Sequence, residues 1–236
     1  MGYINKIINK TIPRFVRNSV CQIFRDTFEN NSYSQEGEDL ILKRFFESKY
    51  DKGFYVDVGA HHPSRFSNTY LFYKKGWRGI NIDALPGSGL KFKEQRKGDI
   101  FVEALVSDAD EEVTYYLFEE PALNTIEKEL ANERVNAGHK ILEKYTKKTH
   151  SLGQILEENM PSSEMEIDFL SVDVEGADFA VLRSNNWEKY KPKMILVELL
   201  SSNFENIKND NIYRYLKEKG YSLYAKTINT YFFIKW

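Results

Sequence analysis

The stretch YVDVGAHHPSRFSNT, Tyr55 to Thr69, decides how the chain is read. A short apolar run with one Asp enters Gly59, and a polar turn follows. The next segment, SNTYLFYKKG, has helical spacing and stops at Gly76. That is a strand, a turn and a helix. The turn lacks the Gly-Lys-Ser/Thr ending of a phosphate-binding P-loop, and it has one glycine where the dinucleotide fingerprint has three. One glycine lets a ligand approach the backbone, but it cradles a pyrophosphate poorly. The following strand, RGINIDA, ends at Asp83, 24 residues after Gly59, where a carboxylate is placed to grip two ribose hydroxyls. A one-glycine turn with a ribose-binding acid suits a nucleoside ligand without phosphates, and S-adenosylmethionine is of that kind.

Outward from this unit, strand-like and helix-like segments alternate. EDLILKRFFESKY reads as a helix before the first strand, with Ser34 as a plausible cap. GSGLKFKEQRKG is a weaker helix, DIFVEALVSD a third strand, and EEVTYYLFEE an antiparallel addition. TIEKELANERVNAGHKILEKY is polar and helical. IDFLSVDVEG is a buried strand followed by the helix ADFAVLRSNNWEKY. KPKMILVELL is a strand, NIYRYLKEKG a helix, and YSLYAKTINTYFFIKW a hairpin turning near Asn229. The pattern predicts an α/β fold with a doubly wound, mostly parallel sheet and an antiparallel C-terminal hairpin. In such sheets ligands bind beyond the carboxyl ends of the strands. Asp57, Gly59, Ala60, Asp83, Ala84 and Ser107 lie at those ends and are the candidates for cofactor contact.

The bulk numbers narrow the partners. Basic and acidic residues number 33 and 35, a formal net charge of −2, so nothing electrostatic argues for nucleic acid. The single Cys21 rules out an intramolecular disulfide and a cysteine zinc cluster. A reducing, cytoplasmic setting fits. No apolar run approaches the roughly 20 residues of a membrane span. The first residues carry an amphipathic pattern, with Ile4, Ile7, Ile8, Ile12, Phe15 and Val16 set against Lys6, Lys10, Arg14 and Arg17. Residues 1–32 are therefore expected to form a helical extension, kinked at Pro13, that packs on the domain or a second subunit or lies on an anionic membrane surface. Residues 33–236 form the main domain.

SVDVEG is the second informative stretch. Asp173 and Glu175 close a buried strand on one face. They can cap the helix that follows. Alternatively, one serves as a general base for a hydroxyl, or the two help hold a hard divalent cation such as Mg²⁺ or Mn²⁺. Glu198, at the next strand end, can complete such a cation site. The adjacent His61 and His62 are open to a structural, a ligand-contact or a metal role, and adjacent residues seldom reach one ion.

Together SQEGEDLIL, YVDVGAHHPSRFSNTYLFYKKGWRGINIDALPG, EPALNT and IDFLSVDVEGADFAVL resemble the FkbM-type methyltransferases, over about residues 33 to 200. The resemblance implies a class I methyltransferase fold of Rossmann-like type, S-adenosylmethionine as methyl donor, and O-methylation, often of sugars. It adds Gln35 and Glu38 as cofactor contacts. By resemblance to some sugar O-methyltransferases of the same broad fold outside that family, Glu175 is the candidate base with Asp173 beside it, and Asp173 and Glu198 are the candidate metal ligands. From their own positions, His61, His62, Asn68 and Asn124 are the candidate substrate contacts. The chain departs from the family's usual DVGAN-G turn at His61, His62 and Pro63, and Asp83 stands where a Glu is frequent. The implied acceptor is a nucleotide-linked sugar or a glycan, such as a surface polysaccharide precursor. An NAD-type dehydrogenase and a non-catalytic nucleotide-binding scaffold are the competing readings. The missing glycines weigh against the dehydrogenase.

Overall fold

The computed structural model describes residues 30–49, 52–162, 164–199 and 205–236. The predicted N-terminal helix lies outside them. The main sheet has seven strands. In chain order they are β1 (Phe54–Val58), β2 (Arg78–Asp83), β3 (Ile100–Glu103), β7 (Phe169–Val172), β8 (Met194–Glu198), β9 (Ser222–Lys226) and β10 (Thr230–Ile234), in spatial order β3-β2-β1-β7-β8-β10-β9. Pairing is parallel from β3 through β8, and β10 runs antiparallel to both neighbours. This is the expected class I α/β sheet with its antiparallel terminal hairpin.

Strand alternation divides the core into two layers. On one face Val56, Ile80, Leu170, Ile195 and Phe233 pack against α5 (Leu152–Asn159), α6 (Asp178–Arg183) and α7 (Asn211–Glu218) through Leu156, Val181 and Leu216. On the other, Tyr55, Phe169, Met194, Leu196 and Phe232 meet α1 (Glu38–Phe45), α2 (Tyr70–Lys74) and Trp77 through Leu42 and Phe72. The remaining main-sheet helix, α3 (Gly89–Gln95), buries Phe92, whose ring packs on Phe101 of β3.

Several expectations are corrected. DIFVEALVSD is two strands. β3 stays in the main sheet, while β4 (Leu105–Val106) turns away to join a second sheet of order β4-β6-β5. EEVTYYLF is β5 (Glu112–Phe118), antiparallel as expected but paired with β6 (Ile141–His150) and not with the main sheet. The long polar helix ends early. α4 covers Lys128–Asn136, Gly138 turns the chain with φ +98°, and KILEKY opens β6. β6 carries three Lys and one Glu and buries a single residue, so no apolar run marks it as a strand, and its pairing with β5 decides its conformation. α5 is not among the expected elements, although Ser151 caps it by accepting from the Gln154 N–H at 3.1 Å. Ser34 caps α1 from outside the N-cap position, its Oγ accepting from the Asp39 N–H of the first turn at 3.3 Å. Gly37 takes the N-cap position with φ +85°, and the Ser34 hydroxyl also pairs with the buried Asp39 carboxylate at 3.1 Å.

One buried polar network fixes the segment between β1 and α2. Arg96, 1% exposed, donates to the Pro63 carbonyl (2.7 Å), Ser67 Oγ (2.7 Å), Thr69 Oγ1 (2.8 Å) and Asn81 Oδ1 (3.1 Å), and it pairs with Asp99 at 3.4 Å. Asp99 in turn accepts from Tyr55 Oη (2.5 Å), Asn81 Nδ2 (3.0 Å) and the Gly79 N–H (3.1 Å). Removing one member of a buried pair leaves the other charge uncompensated. We expect Arg96→Met to lower the unfolding free energy by about 3–5 kcal/mol, read as a lower urea midpoint at unchanged slope. A loss below about 1 kcal/mol would mean the network carries little of the fold.

Candidate active site at the sheet's switch point

From β1 the strand order runs outward through β2 to β3, and from β7 it runs the other way. Their adjacent carboxyl ends therefore open a crevice. The two backbones touch there. Gly59 has φ +82°, and a Cβ on it would lie 1.7 Å from the Asp173 carbonyl oxygen. Only glycine meets both demands. The Asp173 N–H donates to the Val58 carbonyl at 3.0 Å, and the Gly59 and Ala60 N–H groups both donate to the Ile82 carbonyl. Asp83 closes the turn from the β2 side. One carboxylate oxygen accepts from the His61 N–H and the other from the Leu85 N–H, each at 2.7 Å. His61 is held at φ 49°.

The cleft above this turn encloses about 840 Å³, counting its open mouth. Val58, Ile82, Leu85, Ala104, Leu105, Val106 and Ile126 give it apolar walls. Asp83, Asp173 and Glu175 give it negative charge, and no Lys or Arg lines it among the described residues. Its far wall comes from the segment between β5 and β6, through Pro121, Ala122, Asn124 and Thr125.

The turn after β7 aims its acids by several constraints. Glu175 sits at φ 56°, a left-handed conformation that a non-glycine residue adopts at a cost. Asp178 accepts from the Val174 (3.1 Å) and Gly176 (3.2 Å) N–H groups. Thr125 Oγ1 donates to the Glu175 carbonyl at 2.9 Å, and Arg134 of α4 forms an ion pair with the Glu175 carboxylate. Asp178 thus ties down the turn, the helix start has Ala177 at its N-cap with no side-chain cap, and Asp173 and Glu175 are left for the crevice. Burial raises the Glu175 carboxyl above its ordinary range, with Arg134 opposing. Burial first, and then the neighbouring carboxylates, push Asp173 and Glu198 up as well. Asp173 Oδ1 and Glu198 Oε2 are shut off from solvent and have no hydrogen-bond partner among the described residues. A small polar recess adjoins the cleft, sharing Gln35, Phe66 and Asp173 with it and adding Glu36, Glu38, Asn68, Glu198 and Asn229.

The structure sorts the candidate residues. Gly59, Asp83, Ala84, His61, Asn124, Asp173, Glu175 and Gln35 line the cleft. Glu38, Asn68 and Glu198 line the recess. Glu38 is tied to the terminal hairpin by accepting from Thr227 Oγ1 and Thr230 Oγ1, both at 3.3 Å. Asp57 and Ala60 are buried and form no part of either wall, and Asp57 accepts from Thr69 Oγ1 at 2.9 Å. Ser107 is also outside both walls; its N–H donates to the His150 carbonyl. His62 turns away from the cleft, and its Nδ1 accepts from the Ser64 and Arg65 N–H groups at 3.2 and 3.1 Å. Sequence reading missed Arg134, which lies in a polar helix remote in sequence from Glu175, and Tyr115, which is brought in by β5. Nothing local to either residue signals its place.

With this geometry in place, the comparisons fall into line. The model of the FkbM methyltransferase domain matches residues 57–223. The chain belongs to that family and is a methyltransferase by descent. No curated protein matches it. Among solved structures, an O-methyltransferase from Bacillus cereus in complex with SAH aligns at 10% identity, covering 98% of this chain and 96% of that one, with a TM-score of 0.40.

The Gly59 contact yields a paired test. Gly87 has φ +78° with open space where a Cβ would go. Gly87→Ala therefore bears only the left-handed penalty, about 1–2 kcal/mol, whereas Gly59→Ala adds the clash with Asp173. Thermal melts should show Gly59→Ala as the clearly more damaged protein. Equal losses would mean the β1 and β7 ends can part without cost.

Proposed function

We propose that the protein transfers a methyl group from S-adenosylmethionine to a hydroxyl of a sugar, nucleotide-linked or in a glycan, with Glu175 as general base. The observation that carries the cofactor reading is the charge of the cleft. It has apolar walls for a base, Asp83 at the ribose position, and carboxylates without a lining Lys or Arg among the described residues. A sulfonium is a cation and suits that field. A dinucleotide pyrophosphate would meet only repulsion there, which weighs against the dehydrogenase reading. Asp83 already accepts two backbone N–H groups, but each carboxylate oxygen keeps a second acceptor site for a ribose hydroxyl.

The acceptor reading is supported by the carboxylates beside the cleft. A protonated hydroxyl is a weak nucleophile. A sulfonium methyl is a good electrophile, so alignment supplies much of the rate. As the O–C bond forms, the proton passes to a carboxylate within reach. Glu175 is positioned by Arg134 and by its own turn, and its raised pKa makes it a better base than an ordinary glutamate. Asp173 stands next to it. His61, Asn68 and Asn124 are placed to meet the acceptor, and the polar recess suits hydroxyl-rich groups. Among the described residues no helix is long and apolar enough to cross a membrane. A cytoplasmic setting, contact of residues 1–32 with a membrane surface, and homo-oligomerisation belong to this proposal as well.

Isothermal titration with S-adenosylhomocysteine tests the cofactor. The parent should bind it and ignore NAD, and Asp83→Asn should bind about tenfold or more weakly through loss of charge-assisted bonds. Tight binding of NAD, or an unaffected Asp83→Asn, overturns this reading. For the base, Glu175→Gln should lower turnover by about 10²–10⁴ with S-adenosylhomocysteine affinity kept. In the parent, turnover should fall as pH drops through the Glu175 pKa, at a pH above the ordinary 4.5, because the base must be ionised. An unchanged rate in Glu175→Gln removes the base.

A further inference from the structure

We propose that Asp173, Glu175 and Glu198 form a binding site for one hard divalent cation, placed where the cleft meets the polar recess. One carboxylate oxygen from each of the three can be chosen so that all lie within 4.8 Å of one another. Two oxygens opposite each other on a cation stand about 4–5 Å apart, twice a metal–oxygen bond of about 2.0–2.6 Å, so the three fit around one ion. The second observation is independent of their clustering. Asp173 Oδ1 and Glu198 Oε2 are both buried and lack a hydrogen-bond partner among the described residues. Buried carboxylate oxygens without donors are costly, and a shared cation relieves both at once.

The chemistry of the set selects the ion. All three donors are carboxylates, which suit Mg²⁺, Mn²⁺ or Ca²⁺ and not a soft metal. Arg134 already balances Glu175, leaving Asp173 and Glu198 as two uncompensated acids that a dication matches. The other acids nearby are engaged: Asp178 by backbone N–H groups, Glu36 by Asn229 and Glu38 by Thr227 and Thr230. Asp173 and Glu198 also line the recess, together with Asn68 and Asn229, and an ion held by the three acids would complete its shell from that side with water or with oxygens of an incoming molecule. A cation there lowers the pKa of a hydroxyl placed against it, and because the ion takes only one Glu175 oxygen, the carboxylate keeps lone pairs to accept that hydroxyl's proton; this deepens the proposed methyl transfer, and the site rests on it only for that consequence.

The test uses the full chain and Mn²⁺ alone, without cofactor or acceptor, followed by loss of the free-ion electron paramagnetic resonance signal. The parent should take up one Mn²⁺ saturably. Asp173→Asn and Glu198→Gln should each weaken it about tenfold or more, with folding checked by circular dichroism. Glu157→Gln, an exposed acid on α5, controls for general surface charge and should change nothing. No saturable binding by the parent overturns the site, and so does unweakened binding in either folded variant or equal weakening by Glu157→Gln. If one variant fails to fold, the other decides. S-adenosylhomocysteine titration in excess chelator reads the cofactor proposal separately, so either can fail alone.

Discussion

The backbone contact between Gly59 and the Asp173 carbonyl is the constraint on which the site depends. It brings the ends of β1 and β7 within van der Waals distance at the point where the strand order reverses. A side chain on Gly59 would push those ends apart and separate the nucleoside-type turn from the acidic turn. With glycine there, Asp83, Asp173 and Glu175 share one cleft. The left-handed φ of Gly59 also sends the chain across the Ile82 carbonyl, so that His61 can donate to Asp83. One residue thus couples three strand ends.

A second layer of control comes from the segment between β4 and β6. It adds a small sheet of its own and reaches back over the crevice. Thr125 and Arg134 hold the Glu175 turn, and Lys147 of β6 donates to the Ala84 carbonyl at 2.6 Å. Through Arg134, this segment pairs a positive charge with the acidic turn, while no Lys or Arg among the described residues lines the cleft wall. It therefore adjusts the electrostatics of the site as well as its shape. The Arg65–Glu120 pair, at 3.1 Å, ties the same segment to the loop after β1. Being exposed, that pair contributes little to stability.

Beneath that loop, the Arg96 network plays the opposite role. It is fully buried, its donors and acceptors are matched, and it carries no cleft-lining atom. It explains why Asn81 tolerates the centre of a buried strand. It also explains how the segment from Pro63 to Thr69, with little regular structure, presents Phe66 and Asn68 at fixed positions.

The sequence by itself determined the main sheet. Each of its strands is a short apolar run ending in a recognisable turn, and that signal is local. It also placed Gly59, Asp83, Asp173, Glu175 and Glu198 at strand ends, because in a parallel sheet position along the chain sets which edge a residue occupies. It did not show β6, which has no apolar run to mark it and takes its conformation from pairing with β5, nor the split of DIFVEALVSD between two sheets. Only the tertiary structure separated His61, on the cleft wall, from His62, whose ring is spent on its own turn. Only it joined Arg134 to Glu175, and left Asp173 and Glu198 each with a buried oxygen and no donor among the described residues. These are outcomes of packing between segments far apart in the chain, and no local pattern encodes them.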